Sequence, residues 1–175
     1  ALRARKGVRV LRLVPGACAS PLRIADQNRP NIFARHIVLP ELLYERVLEV
    51  SERVMADGRV LAPLDEAAAR AGMQKAFDDG IRAVAILLMH GYRHTAHEKT
   101  LAAIARGIGF AQVSVGHEVS PLMKLVSRGD TTVVDAYVSP ILRRYVDLVA
   151  GELGAGTRLM FMQSNGGLAD ARAFQ

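Results

Sequence analysis

Arg82-Ala83-Val84-Ala85-Ile86-Leu87-Leu88-Met89 is one arginine followed by seven apolar residues, and no polar face can be drawn through it. A strand with one wet side alternates apolar and polar, whereas a strand covered by helices on both faces does not. The stretch therefore predicts a buried strand in a parallel sheet. Before it, Asp65 is placed to accept backbone N–H bonds as the N-cap of an alanine-rich helix running toward Asp78, and Gly80 stands where a left-handed C′ residue is wanted. After it, Thr95-Ala96-His97-Glu98 has the spacing of a capping box, the threonine hydroxyl serving the glutamate amide while the carboxylate reaches back. A helix from about Ala96 to Arg106 follows, with Leu101, Ile104 and Ile108 on one face and Gly107 and Gly109 ending it; Gln112 to Val115 is a short strand. Helix between consecutive parallel strands is the βαβ unit, with a right-handed crossover. The fold class is α/β.

Further out, Val47 to Met55 alternates β-branched and charged residues, then comes Asp57-Gly58, then Arg59-Val60-Leu61. This predicts a β-hairpin arm over about 47–61, closed by a type I′ turn with positive φ at both central residues. Glu41 to Arg46 reads either as its lead-in or as a helical turn. From Asp130 an amphipathic helix is expected, with Val134, Tyr137 or Val138, Ile141, Tyr145 and Leu148 on one face. Pro140 kinks it or starts a second helix. Arg158 to Met162 is a further strand candidate ending in the Ser164 to Gly167 turn, and a division of the chain is expected near Gly116, giving 1–115 and 116–175.

The 175 residues amount to about one domain. Half are hydrophobic, enough for a core, and 23 basic against 17 acidic residues give a net charge of +6. The basic residues are scattered and no recognised nucleic-acid motif accompanies them, so a solvated or covered basic face is preferred to a nucleic-acid surface. Cys18 is the single cysteine, which excludes an internal disulfide and a cysteine-rich metal site. The apolar run at Ala83 to Met89 is far shorter than the roughly 20 residues a membrane helix needs. The expectation is a soluble cytoplasmic protein without a membrane or nucleic-acid partner.

Several groups are candidates for chemistry. Ser164, Asn165, Gly166 and Gly167 follow a strand, where open α/β sheets place ligands, and paired glycines let backbone amides approach an anion; an ordinary turn has the same composition. Lys124, Arg128 and Asp130 set a carboxylate beside two cations, a group able to orient a phosphate or carboxylate; Asp130 reads equally as an N-cap. Asp135 is either a surface residue or a site member. His90, His94 and His97 lack the H-E-x-x-H pattern of a zinc protease helix, and no metal site is assigned. Cys18 has no evident base partner and receives no role.

The segments VSPLMKLVSRGDTTVVDAYVSPILRRYV (Val119 to Val146), MQSNGG (Met162 to Gly167), PELLYERVLEVSERV (Pro40 to Val54), AILLMHGYRHTAHE (Ala85 to Glu98) and the pair Arg29-Pro30 together resemble the ATP-dependent 5-oxoprolinase and hydantoinase A family, in the family's order and rough spacing. The resemblance runs from about Asp26 to the C-terminus. It implies an incomplete parallel-sheet domain of the actin-like ATPase type, with 1–115 in the family's N-terminal region and 116–175 opening its core region. It also implies ATP, Mg²⁺ and often K⁺ as cofactors, and a parent enzyme converting 5-oxo-L-proline to L-glutamate in glutathione turnover. The family's Asp-Gly-Gly phosphate loops do not occur between Ala1 and Gln175, nor does a G-x-x-x-x-G-K-[ST] loop. The chain is thus expected to be a piece of a larger protein, inactive alone, whose partners are a cyclic amide and the remaining domains, with homo-oligomerisation left open. Asn165 stands where some 5-oxoprolinases carry Asp, which also fits the hydantoinase branch. The alternatives are an ATP-dependent hydantoinase or N-methylhydantoinase, a subunit of an acetone-type carboxylase, or a non-catalytic assembly module presenting the hairpin arm and the Val134 to Leu148 stripe.

Overall fold

Val10–Pro15, VLRLVP, forms a strand (β1) buried at every position, although a stretch interrupted by Arg12 gives no apolar run long enough to predict one. The computed structural model describes residues 6–19, 33–36, 41–153, 157–162 and 166–171. After β1 come β2 (Arg46–Val50), β3 (Arg53–Val54), β4 (Val60–Ala62), α1 (Glu66–Asp78), β5 (Ala83–Ile86), α2 (Ala96–Ile108), β6 (Gln112–Val115), α3 (Gly116–Val119), α4 (Leu125–Glu152), β7 (Met160–Met162) and β8 (Leu168–Asp170). The main sheet has the order β2-β1-β5-β6, and its three pairings are all parallel. β1 is therefore central, with Leu13 in register with Leu48 on one side and Ile86 on the other.

Both faces of the sheet are covered, as the apolar run at 82–89 requires. On one face Leu11, Leu13, Val84 and Ile86 pack with Ala69, Met73 and Ala76 of α1 and Leu101, Ala102 and Ala105 of α2. On the other, Val10, Ala83 and Ala85 meet Val133, Ala136 and Tyr137 of α4. Alternate strand residues thus point into two different apolar layers. Among the described residues, no helix is long and apolar enough to cross a membrane.

Local signals were followed in part. Asp65 caps α1 by accepting from Ala68 N–H at 2.9 Å, and Gly80 (φ 90°) and Gly109 (φ 108°) take the left-handed conformation at the ends of α1 and α2. The hairpin exists but is shorter than expected, because Val47 to Val50 belong to the parallel sheet and only β3 and β4 pair in antiparallel fashion. Its turn is not type I′. Gly58 alone has positive φ (93°), and its N–H donates to Met55 C=O at 3.0 Å. That is a tight turn followed by one left-handed glycine, the other common way of closing a short hairpin.

Thr95 makes no side-chain cap bond to α2, because its own backbone is already helical (φ −82°, ψ −7°); the Glu98 carboxylate is turned inward and does not reach back. α4 begins at Leu125 instead of Asp130, so Asp130 lies in the second turn and is not an N-cap, and the helix continues through Pro140 as one element. Its buried face is Gly129, Thr132, Val133, Ala136 and Tyr137, whereas Tyr145 and Leu148 are 57 % and 66 % exposed. A helix of this length spans roughly 42 Å and overshoots strands of four to six residues. β7 pairs antiparallel with β8 in a separate ribbon, not in the parallel sheet.

Replacing Asp65 by alanine is expected to cost about 1 kcal/mol in denaturant unfolding. Thr95→Ala should leave the midpoint unchanged, since that hydroxyl caps nothing; equal costs would restore the capping box.

Candidate functional site

The four parallel strands end together at Pro15, Val50, Ile86 and Val115. The chain leaves β1 toward β2 on one side and β5 toward β6 on the other, so the sheet reverses direction between β1 and β5. Open α/β sheets bind ligands at the carboxyl ends of strands near such a point. The loops that follow β5 and β6 converge there on two buried charges.

The first is Glu98, whose side chain has no exposure. Its Oε1 accepts Leu88 N–H at 2.8 Å, and its Oε2 accepts His117 N–H at 3.1 Å and His117 Nδ1–H at 2.6 Å. A buried carboxylate is costly unless its lone pairs are filled, and here three donors fill them. Two glycines make room: a Cβ on Gly91 would collide with the Glu98 carboxylate, and one on Gly116 would come within 3.3 Å of both Glu98 Oε1 and Arg128 Nε. The carboxylate ties the end of β5 to the start of α3.

Arg128 is the second charge, also with no exposure. Its Nη1 donates to Leu122 C=O at 2.6 Å, its Nη2 donates to Leu88 C=O and to Met89 C=O at 3.0 Å, and its guanidinium lies 5.5 Å from the Tyr92 ring centroid. Burial pulls its pKa below the usual guanidinium range, opposed by the charges of Glu98 and Tyr92. With its donors on backbone carbonyls, Arg128 clamps the β5 loop to the start of α4.

His94 of the β5 loop and His97 in the first turn of α2 fasten the hairpin. His97 Nδ1–H donates to the buried Glu52 carboxylate at 2.9 Å, and the His94 ring donates through Nε2 to Ala56 C=O at 3.2 Å. His90 is left with a buried Nδ1 that has no partner. Burial lowers its pKa, helped by the positive charges of Arg53, His94 and Arg128 and opposed by Glu52.

A groove of about 490 Å³ runs along β6, lined among others by Arg106, Ser114, Glu118, Asp135 and Arg143. Asp135 accepts from Ser114 Oγ–H at 2.6 Å and Ser139 Oγ–H at 2.8 Å, while Arg143 donates to Gln112 Oε1 at 3.1 Å. Asp135 is thus a member of a polar network at a groove.

The structure does not bring Lys124, Arg128 and Asp130 together around a common point. Lys124 is exposed at the start of α4, Arg128 points inward, and Asp130 lies 3.9 Å from Nη2 of Arg12, which is itself 2 % exposed. Gly129 allows that approach, since a Cβ there would come within 2.5 Å of Arg12. Ser164 and Asn165 lie outside the described residues; Gly166 has positive φ (82°) and lies between β7 and β8 of the antiparallel ribbon. Glu98, His117 and Arg12 were missed. The available signal for Glu98 was a glutamate one turn into an apolar helix, with glycines at 91 and 116 on either side of the strands it joins.

Replacing Arg128 by methionine removes the donor to the carbonyls of Leu88, Met89, Leu122 and Met123 and should cost about 3 kcal/mol or more in denaturant unfolding, whereas Lys124→Met should fall within about 0.5 kcal/mol of zero. His90 supplies a pH prediction. With its folded-state pKa depressed, the unfolded chain binds the proton first, so stability is full above the unfolded value near 6.5 and falls as pH drops below it. Unfolding midpoints between pH 7.5 and 5.5 should slope less in His90→Gln.

Residues 1–109 match the hydantoinase/oxoprolinase N-terminal region, and residues 128–175 match the hydantoinase/oxoprolinase family. Among curated relatives, 5-oxoprolinase of Saccharomyces cerevisiae is 32% identical over 97% of this chain and 5-oxoprolinase 1 of Arabidopsis thaliana 34% identical over 99%; the chain spans 16% of each. The caprolactamase subunit alpha of Pseudomonas jessenii is 37% identical over 77% of this chain and 19% of its own length. The crystal structure of ATP-dependent caprolactamase from that organism superposes with a TM-score of 0.81 at 33% identity, covering 98% of this chain and 26% of that one. Nucleotide-free acetone carboxylase shares the fold, with a TM-score of 0.79 at 18% identity over 99% of this chain and 27% of that one. The parallel-sheet α/β architecture of actin-like ATPase type is common to them. On the match of its first 109 residues alone, the chain belongs to the hydantoinase/oxoprolinase family.

Proposed function

We propose that the protein of which this chain forms a part is an ATP-dependent cyclic-amide hydrolase, with 5-oxo-L-proline as first-choice substrate and L-glutamate, ADP and phosphate as products. The observation that carries the reading is the match to 5-oxoprolinases of yeast and plant along nearly all of this chain. The chemistry gives a reason for ATP. A five-membered lactam resists water at neutral pH, and phosphoryl transfer to the amide oxygen creates an electrophile that water can open.

The chain spans about a sixth of those relatives, so this reading concerns the longer protein. Mg²⁺ and K⁺ enter only as part of the proposal. Among the described residues no three His, Cys, Asp or Glu side chains gather as a metal site; the ions are proposed to sit on the ATP phosphates. The division into 1–115 and 116–175 belongs to the same reading, supported by a gap between the two family matches at 110–127. Lys124, Asp130 and the Ser164-Asn165-Gly166-Gly167 turn are proposed as ligand contacts, whereas Arg128, whose two terminal nitrogens donate to backbone carbonyls, acts as a fixed buried cation. The protein is placed in the cytoplasm.

The caprolactamase similarity favours a second reading, a larger lactam ring. Full-length protein supplied with ATP, Mg²⁺ and K⁺ should form glutamate in step with ADP from 5-oxo-L-proline. Turnover of caprolactam or a hydantoin in its place moves the substrate within the family, and ATP hydrolysis indifferent to every cyclic amide overturns the proposal.

A further inference from the structure

We propose that His117 is the proton carrier of this site, taking the N–H proton of the cyclic amide by way of Glu118; the inference rests on the reading above. The ring is fixed. Its Nδ1–H is committed to Glu98 at 2.6 Å, and Glu98 is itself held by Leu88 N–H at 2.8 Å and His117 N–H at 3.1 Å. Because a carboxylate only accepts, Nδ1 carries the hydrogen and the neutral ring presents a lone pair at Nε2. That nitrogen is buried and has no hydrogen-bond partner among the described residues. It lies 3.8 Å from Glu118 Oε1. Two lone pairs facing each other gain nothing, but one added proton turns the contact into a charge-assisted hydrogen bond between carboxylate and imidazolium.

Glu118 connects this pair to the outside. Its side chain is 53 % exposed and it lines the groove along β6 together with Ser114, Asp135, Arg106 and Arg143. An N–H donor lying in that groove can reach the Glu118 carboxylate, and the proton it gives up has a place to go. The charged groups set about the ring are Glu98 from α2, Glu118 on α3 and Arg128 from α4.

A neutral amide oxygen is a weak nucleophile, so its attack on the γ-phosphorus of ATP is aided by loss of the amide proton. The nitrogen's proton moves to Glu118 as the amide oxygen bonds to phosphorus, the carbon–nitrogen bond becomes double, and the phosphorus–oxygen bond to ADP breaks with its electron pair leaving on ADP. Glu118 passes the proton to Nε2, giving an imidazolium between two carboxylates. Water then adds to the carbon bearing the phosphorylated oxygen, and the ring carbon–nitrogen bond breaks with its electron pair on nitrogen, which leaves as an ammonium after taking both protons of that water and the one the carrier returns. A second water cleaves the acyl phosphate to carboxylate and phosphate.

The test uses full-length protein with ATP and 5-oxo-L-proline. His117→Gln should lower kcat by about 100-fold or more, while the calorimetric Kd for 5-oxo-L-proline stays within about threefold of wild type. The acidic limb of the kcat pH profile should disappear in this variant, and added imidazole should restore turnover to His117→Ala. Glu118→Gln, a change at a half-exposed position, should lose kcat in the same way and carries the test where His117 variants do not fold. A kcat within about threefold of wild type with the acidic limb intact overturns the inference alone. Loss of binding equal to the loss of kcat assigns His117 a structural part and also overturns it. Wild-type protein that turns over no cyclic amide overturns the underlying reading and the inference together.

Discussion

A carboxylate without access to water is the constraint around which this molecule is arranged. An unpaired buried charge costs several kcal/mol, so Glu98 is stable only where donors converge, and the donors come from the end of β5 and from both the backbone and the ring of His117. Meeting that demand fixes the chain over a long span. The β5 loop cannot shift without uncovering Oε1, nor α3 without uncovering Oε2. Gly91 and Gly116 follow from the same demand, since a side chain at either would occupy the space of the carboxylate or of the arginine behind it.

Arg128 completes the arrangement from the opposite side. Its guanidinium takes up the carbonyls of Leu88 and Met89, while the amide of the same Leu88 serves Glu98. One residue at the end of β5 therefore has its N–H on an anion and its C=O on a cation. The loop is held from both ends of its peptide dipoles, and the histidines that leave it, His94 and His97, can then anchor the hairpin through Ala56 and Glu52.

How much of this was legible depended on whether the signal was local. The seven apolar residues before His90, the cap at Asp65 and the glycine at 109 act over a few residues, and each did what its chemistry suggests. Resemblance found the family but not the geometry. The central strand escaped because Arg12 interrupts it, and Arg12 is tolerated there only because Gly129, far along the chain, leaves space and Tyr44 offers its ring 5.0 Å away. Glu98 was assigned to its own helix because the Thr-x-x-Glu spacing is real; a buried tertiary demand outweighed a cap worth about 1 kcal/mol. Arg128 and Asp130 are two residues apart and on a helix point in different directions, so reading them as one cluster presumed a loop where α4 had already begun.

The two faces of the sheet divide the work. Between the sheet and α1 and α2 the packing is apolar, built from Leu11, Leu13, Met73, Ile86 and Leu101 and their neighbours, with Glu98 of α2 as the buried charge at the strand ends. Arg12, Arg128 and the Ser114–Asp135 network lie toward α4 instead. Apolar packing is non-directional and scales with area, so the α1/α2 layer holds the sheet together and, apart from Glu98, fixes few polar atoms. Hydrogen bonds are directional, so the α4 layer fixes positions where area alone cannot. The apolar side can thus vary in stability while the polar contacts keep the geometry of the strand ends, and a groove opening beside α4 holds polar groups in fixed orientation next to solvent.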